Sequence, residues 1–451
     1  MQLTKARSMS DRDISDCLTR WFDMHQRDLP ETRSLLVAVS GGSDSLALLS
    51  ALSEIASEWG LDLAAATVDH GLRAEARDEA QMVSRVCTQL GVPHDILSLN
   101  WADPSAVTQE AARGARYRAL AAHARKLGVK AIATGHTHND QLETVYMRLR
   151  AGSDAWGLSG MSDIAPVPVW PEGMGLKLIR PLMRADREDL RTYLHTRQVE
   201  WVDDPSNEKL VFERVRVRNL LSDRPQLAGQ LADTQSLAAA RRLKISQALV
   251  EWAGQALSWH VGGAVAFSAA DWLSRTLEER LVLLKALLPS IAGKFRAPRN
   301  SILEPVLELE GLERGRTLGG CYMKRTADKV LIAAEPIPES DQSIVFAGNM
   351  MVWNGRIGFE LPEGTGRTLK LAQWGKRGVP AELTGSDLPD YDVRRSLPVL
   401  LTGEENAFRI PHLEKCADMK VCDLAPERFL SLLSFSTDFF AKEIGRRESF
   451  S

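Results

Sequence analysis

The chain is poor in cysteine, has no long apolar run and carries no excess of positive charge, and each shortage removes a class of protein. Its 451 residues include five cysteines, Cys17, Cys87, Cys321, Cys416 and Cys422, with no Cys-x-x-Cys pair. A disulfide framework is excluded, and the thiols are too scattered for a zinc or iron–sulfur site. No stretch reaches the roughly 18 to 20 consecutive apolar residues that cross a bilayer. The opening Met1-Gln2-Leu3-Thr4-Lys5-Ala6-Arg7 lacks the apolar core of a secretion signal, so the expectation is a cytoplasmic protein with no membrane partner. Lys and Arg number 56 against 59 Asp and Glu, a net charge of −3, which argues against coating nucleic acid by charge alone. Local basic clusters remain, at Arg241, Arg242 and Lys244, at Lys294, Arg296 and Arg299, and at Lys442, Arg446 and Arg447. The plain reading of each is a solvated helix face or tail. Internal repeats and low-complexity tracts are also lacking.

What is present is enough apolar content, 44%, to build more than one core. From residue 34 to about 150, short β-branched or apolar runs alternate with longer helical stretches, the signature of a doubly wound α/β domain with a parallel sheet. Strands are expected at 35–39, 63–68, 95–99 and 129–133, and helices at 11–27, 44–59, 74–90, 108–127, 139–150 and 186–197. Glycine and proline thicken between residues 152 and 175, predicting an irregular connection. The Ala-, Leu- and Gln-rich run over 226–288 reads as a separate helical domain, and short strands and turns follow Gly311.

The first strand, Leu35-Leu36-Val37-Ala38-Val39, runs into Ser40-Gly41-Gly42-Ser43-Asp44-Ser45 and then into an apolar helix. Glycines let the backbone approach an anion, the hydroxyls of Ser40, Ser43 and Ser45 can donate hydrogen bonds, and a helix N-terminus adds exposed N–H groups and a favourable dipole. This predicts a phosphate cradle; a tight turn with a capping Ser or Asp is the plainer alternative. Neither a Walker loop, which ends in Gly-Lys-Ser/Thr, nor Gly-x-Gly-x-x-Gly is present. Asp44 beside a polyphosphate would repel it without a divalent cation between them, which points to magnesium.

Other polar groups fall at strand ends, where open α/β sheets bind ligands. The second strand ends in Asp69-His70-Gly71-Leu72-Arg73, suited to a nucleotide or to simple capping. The fourth ends in Gly135-His136-Thr137-His138-Asn139-Asp140-Gln141-Leu142-Glu143-Thr144. Asp140 and Glu143, three apart, share a helix face and could share a cation or merely favour the helix N-terminus. His136 and His138 offer a competing zinc pair with no clustered third ligand. Arg113 and Arg116 lie on one face of another helix, able to clamp phosphate or to make surface ion pairs.

With those residues in place the chain resembles the tRNA(Ile)-lysidine synthetase family of PP-loop enzymes. The resemblance takes in Ser40 to Ser45, Asp69 to Arg73, Glu110 to Tyr117, Gly135 to Thr144, Gly157-Leu158-Ser159-Gly160-Met161 and Arg180-Pro181-Leu182. It continues through Asp204-Pro205-Ser206-Asn207, Phe212, Arg214, Arg218 and Asn219, with weaker likeness at Gly378-Val379-Pro380 and over Arg394 to Val399. It departs from the family's paired aspartates at Asn139-Asp140.

The fold this implies is PP-loop, adenine nucleotide alpha-hydrolase-like, with a catalytic domain over 1–225, a helical tRNA-contacting domain over 226–310 and a small mixed C-terminal tRNA-binding region over 311–451. The implied reaction adenylylates C2 of the wobble cytidine of a CAU-anticodon isoleucine tRNA with ATP, then replaces AMP by free lysine. The implied catalytic residues are Asp44, Asp140, Glu143 and Arg113. ATP falls to Ser40, Gly41, Gly42, Ser43, Asp44, Ser45, Asp69, His70, Gly135 and His136, and magnesium to Asp44, Asp140 and Glu143. Partners are that tRNA and free lysine, with a homodimer left open. The alternatives are a tRNA thiolase, a ligase of a small metabolite, and an RNA-binding module that has lost catalysis.

Overall fold

The structure, a computed structural model, describes residues 11–29, 33–71, 76–203, 211, 213–338, 344–347, 350–360, 370–380, 388–401, 408–413 and 419–433. The described residues form two compact units, one holding those up to Pro168 with Gly175–Lys244, the other Val169–Met174 with those from Ile245 to Leu433.

In the first unit, α1 (Asp11–His25) precedes β1 (Ser34–Ala38), α2 (Ser43–Trp59), β2 (Asp62–Asp69), α3 (Ala76–Gln89), β3 (His94–Ser98), α4 (Gln109–Lys126), β4 (Ala131–Thr134) and α5 (His138–Arg150). After them come α6 (Ala155–Leu158), β5 (Ile164–Pro166), β6 (Lys177–Ile179), α7 (Arg187–Thr196), α8 (Glu213–Asp223) and the first part of α9 (Pro225–Ala256). The six-stranded sheet runs β3-β2-β1-β4-β6-β5, parallel except for the antiparallel edge strand β5. Leu35, Leu36 and Val37 are all buried, as an unbroken apolar run should be in a central strand covered on both faces. α1 buries Ile14, Leu18, Trp21 and Phe22, one helical stripe, against the same core. The chain leaves β1 towards β2 and β3 and returns on the other side at β4, so the strand order reverses between β1 and β4. A crevice at the carboxyl ends of two such strands is where this architecture takes ligands.

The second unit is built from antiparallel sheets. β7 (Ser258–His260) and β8 (Ala264–Ser268) precede α10 (Ala269–Leu273), α11 (Leu277–Ala292) and α12 (Asn300–Leu303). β9 (Arg316–Leu318), β10 (Cys321–Thr326) and β11 (Lys329–Ala334) then complete a sheet ordered β7-β8-β11-β10-β9. β12 (Ile344–Ala347), β13 (Met350–Trp353), β14 (Ile357–Glu360), β15 (Leu371–Gln373), α13 (Tyr391–Arg394), β16 (Pro398–Leu401), β17 (Phe408–Arg409), β18 (Lys420–Asp423) and α14 (Ala425–Leu433) follow. Their sheets are β12-β13-β14-β18 and β15-β16-β17.

The helical run expected from residue 226 to 288 is therefore interrupted. Ala264, Val265, Ala266 and Phe267 are buried as an interior strand paired with β11, and apolar alternation is hidden where both faces of a strand are covered. The expected strands and helices of the first unit form within a few residues of where the pattern put them.

Candidate functional site

The turn from β1 to α2 is shaped by its own side chains. Ser45 Oγ donates to the Gly42 carbonyl at 3.0 Å and accepts from the Ser40 N–H at 3.1 Å, so its hydroxyl closes the loop. Ser43 Oγ donates to Asp44 Oδ1 at 3.1 Å, and the Gly41 carbonyl accepts from the Val202 N–H at 3.0 Å. All three hydroxyls expected to face a phosphate are engaged within the loop, Ser40 Oγ lying 3.3 Å from Ser45 Oγ. The backbone carries more of the cradle: Gly42 precedes α2 with no side-chain cap, which leaves the first turn's N–H groups and helix dipole for an anion. Gly135, just past β4, lies across this turn, and a Cβ there would sit 2.6 Å from the Asp44 carbonyl oxygen. Only glycine lets the two strand ends come so close.

That crossing brings α5 beside the loop. Asp140 closes a capping box with Thr137: its Oδ2 accepts from the Thr137 N–H at 2.9 Å while Thr137 Oγ1 accepts from the Asp140 N–H at 3.4 Å. Its other oxygen, Oδ1, accepts from Arg187 Nη2 at 3.3 Å and Arg214 Nη2 at 3.2 Å. Arg187 also donates from Nε to Asp44 Oδ2 at 3.0 Å, so Asp44 and Asp140 converge on one guanidinium. Glu143, 1% exposed, lies one turn on and receives Arg214 Nε at 2.6 Å and Arg218 Nε at 2.9 Å, with Arg187 Nη1 at 3.8 Å. Three acids from α2 and α5 thus meet three arginines from α7 and α8. Burial raises the Asp44 pKa above the ordinary carboxylate range despite Arg187, and Asp140 adds to the rise. Burial opposes the Asp140 charge too, but Arg214 and Arg187, with the Thr137 N–H, outweigh it and hold that pKa low. Among the described residues no group of three or more His, Cys, Asp or Glu gathers as a metal-binding cluster, and that holds for Asp44, Asp140 and Glu143 as it does for His136 and His138.

Asn139, where the sequence departs from a paired aspartate, accepts the Arg187 N–H on Oδ1 at 2.9 Å. It caps the start of α7, whose own Asp186 makes no side-chain cap bond, and so holds Arg187 between the acids.

A PP-loop domain family matches residues 15–224, the stretch that carries this loop and the acid–arginine cluster. A tRNA(Ile)-lysidine synthase of Hyphomonas neptunium is 40% identical over 303 residues, covering 66% of this chain and 80% of the relative. The one from Bradyrhizobium diazoefficiens is 41% identical over 250 residues, 54% of this chain and 66% of that one. The one from Brucella suis is 35% identical over 389 residues, 83% of this chain and 84% of its own. The chain belongs to the tRNA(Ile)-lysidine synthase family. It is an ATP-using enzyme with a PP-loop domain, and among the described residues no helix is long and apolar enough to cross a membrane.

Seen as a member of the lysidine synthase family, the remaining expected residues divide. Asp69 Oδ1 accepts from the Gly71 N–H at 2.9 Å and the His70 carbonyl accepts from Trp101 Nε1 at 2.7 Å, so both shape the turn after β2. His136 lies in a basic wall: burial, then Arg180, Arg214 and Arg113, pull its pKa down to about 3 against the pull of Asp140. Its Nδ1 is 2.9 Å from Thr134 Oγ1, which donates to the Ile179 carbonyl; that leaves the proton on Nδ1 and a lone pair on Nε2. Arg113 stacks 5.0 Å from the centre of the Tyr117 ring, and burial pulls Arg116 and Arg180 below the ordinary guanidinium range. The sequence pattern singled out Arg113 and Arg116 but not Arg187 or Arg180 as site residues; the clue for both was the run Arg180-Pro181-Leu182 leading from a strand end into a helix. Leu72, Arg73, Asp204 to Asn207 and Phe212 lie outside the described residues.

Proposed function

We propose that this chain joins free lysine to C2 of the wobble cytidine of a CAU-anticodon isoleucine tRNA, by way of an adenylylated tRNA. The observation that carries the reading is the open N-terminus of α2, at the Ser40 to Ser45 loop, with Asp44 and Asp140 turned onto one shared cation beside it. The loop's N–H groups bind the ATP phosphates, which orients the α-phosphorus for attack by the C2 oxygen of cytidine and lets pyrophosphate leave. The ε-amino group of lysine then attacks C2 and AMP departs. Both steps gain from fixed positions and from charge already in place.

Asp44 Oδ2 and Asp140 Oδ1, which converge on Arg187, would hold a magnesium ion in place of that guanidinium, since a hard metal takes carboxylate oxygens. When bound, that ion supplies charge neutralisation for the triphosphate. Glu143 fits the role less well, because Arg214 and Arg218 take its two oxygens. Its place is to seat α8 against α5. Burial, with Arg180, Arg214 and Arg113, holds His136 neutral, and the exposed Arg113 offers a cationic group to the anionic RNA. A tRNA substrate places the work in the cytoplasm.

The test supplies ATP, magnesium, labelled lysine and an unmodified isoleucine tRNA with a CAU anticodon, and follows label in RNA and AMP released. Label in that tRNA but not in the CAU-bearing methionine tRNA is expected, and Asp44→Ala abolishes turnover while sparing RNA affinity. AMP without label in the RNA overturns lysine as the nucleophile, and full turnover by Asp44→Ala overturns the role given to that residue.

A further inference from the structure

The segment between α6 and β5 is fastened from two sides. From α5, Gln141 takes both polar groups of Met161, donating to its carbonyl at 2.8 Å and accepting its N–H at 2.7 Å. Arg148, two turns on, donates from Nη1 to the Gly157 carbonyl at 2.8 Å and the Gly160 carbonyl at 2.9 Å. From α9, Gln235 Nε2 donates to the Ser159 carbonyl at 3.0 Å and Arg242 Nη1 to Ser159 Oγ at 3.0 Å. The buried Ser159 passes its own hydroxyl proton to the Trp156 carbonyl at 2.7 Å, and the Arg242 guanidinium lies 4.5 Å from the centre of the Trp156 ring. Burial pulls the Arg242 pKa down to about 9, so this is a desolvated charge held by its contacts and no solvated helix face.

Leu227 and Leu231 of α9, on the stripe that carries Gln235 and Arg242, pack with Leu142 and Val145 of α5 and with Leu158. Gln141 adjoins Asp140 and stands two residues before Glu143. α9 therefore reaches the helix that carries the acids by two routes, one apolar and direct, the other polar and through residues 157–161.

We propose that Gln235 and Arg242 are positioning residues which, through Ser159 and the 157–161 segment, set where α5 holds Asp140 and Glu143 for transfer onto RNA. The inference rests on the function proposed above. It assigns a task to two side chains that touch no reacting atom, and it makes the Gly157-Leu158-Ser159-Gly160-Met161 stretch a coupling between helices.

The experiment compares wild type with Arg242→Ala, Gln235→Ala, Ser159→Ala and the Arg242→Ala/Ser159→Ala double variant. Three quantities are read: kcat and KM for lysine incorporation, ATP affinity by nucleotide fluorescence, and amide hydrogen exchange by mass spectrometry. Arg242→Ala is expected to lower kcat about tenfold, the scale of one charged hydrogen bond, with ATP affinity within about twofold of wild type. The double variant should be no worse than the poorer single one, because both cut the same link. Exchange at residues 138–143 should speed up while that at 34–38 stays put. A lysine-incorporating wild type with an unimpaired Arg242→Ala, or additive losses in the double variant, overturns the proposal. A wild type that incorporates no lysine sinks the functional reading instead, and the exchange data then decide alone: unchanged protection at 138–143 in Arg242→Ala overturns the coupling.

Discussion

Replacing Glu143 by alanine should destabilise the first unit more than any surface charge change. The carboxylate is 1% exposed and faces Arg214, Arg218 and Arg187, whose side chains are 43%, 30% and 15% exposed. Removing one partner of a fully buried pair costs about 3–5 kcal/mol, because the other charge stays behind without compensation. Here two of the three arginines keep water contact, so about 2–3 kcal/mol is expected. In a unit of 150–250 residues each kcal/mol lowers the melting temperature by about 2–4 °C, which gives a fall of about 5–10 °C. Glu143→Gln keeps the volume and one acceptor and should fall roughly half as far. Glu213→Gln is the control, since the Arg150–Glu213 pair at 3.5 Å is exposed on both sides and such pairs are worth about 0–1 kcal/mol. Scanning calorimetry of the three variants decides: if Glu143→Ala melts within a degree or so of Glu213→Gln, the cluster is no structural tie and Glu143 is free for another role.

Two further outcomes follow from the same neighbourhood. His136 has a folded pKa of about 3 against 6.5 ordinarily, so between those values the unfolded chain takes up a proton that the folded chain does not. Its share of stability is complete above pH 6.5 and is lost as pH falls, at up to about 1.4 kcal/mol per pH unit. The wild type should therefore lose stability faster than His136→Asn between pH 6.5 and 4.5, and parallel melting curves across that range would refute it. Asn139→Ala removes the cap on α7 and should cost about 1 kcal/mol, with turnover falling as Arg187 loosens, while Asn139→Asp keeps both. Unchanged melting and turnover in Asn139→Ala would show that the cap has no weight.

The α/β unit was legible because its strands are short apolar runs between helices of ordinary length, and the Ser40 to Ser45 loop stood out by lying between the first strand and a helix. The second unit was harder. β7 and β8 sit in a stretch whose composition is helical on average, and what makes β8 a strand is its pairing with β11, more than sixty residues further along the chain. Asp44 could be named from its loop, Asp140 and Glu143 from their spacing, and Arg214 and Arg218 from the resemblance, but not that these arginines with Arg187 are the acids' counter-charges, since they lie on two other helices and only the fold brings them to Asp44, Asp140 and Glu143. Asn139 was legible only as a departure from the family pattern. Its service to α7 appears once residues 139 and 187 are side by side.

The two oxygens of Asp140 have separate employers. One starts α5 by capping Thr137, and the other faces the arginines that border the nucleotide loop. A mutational screen scored on expression and one scored on activity would both flag this position, and neither could say which task had failed. A designer wishing to alter the chemistry at Asp140 would have to supply a new start to the helix first, so the reaction and the local fold are heritable only as a pair.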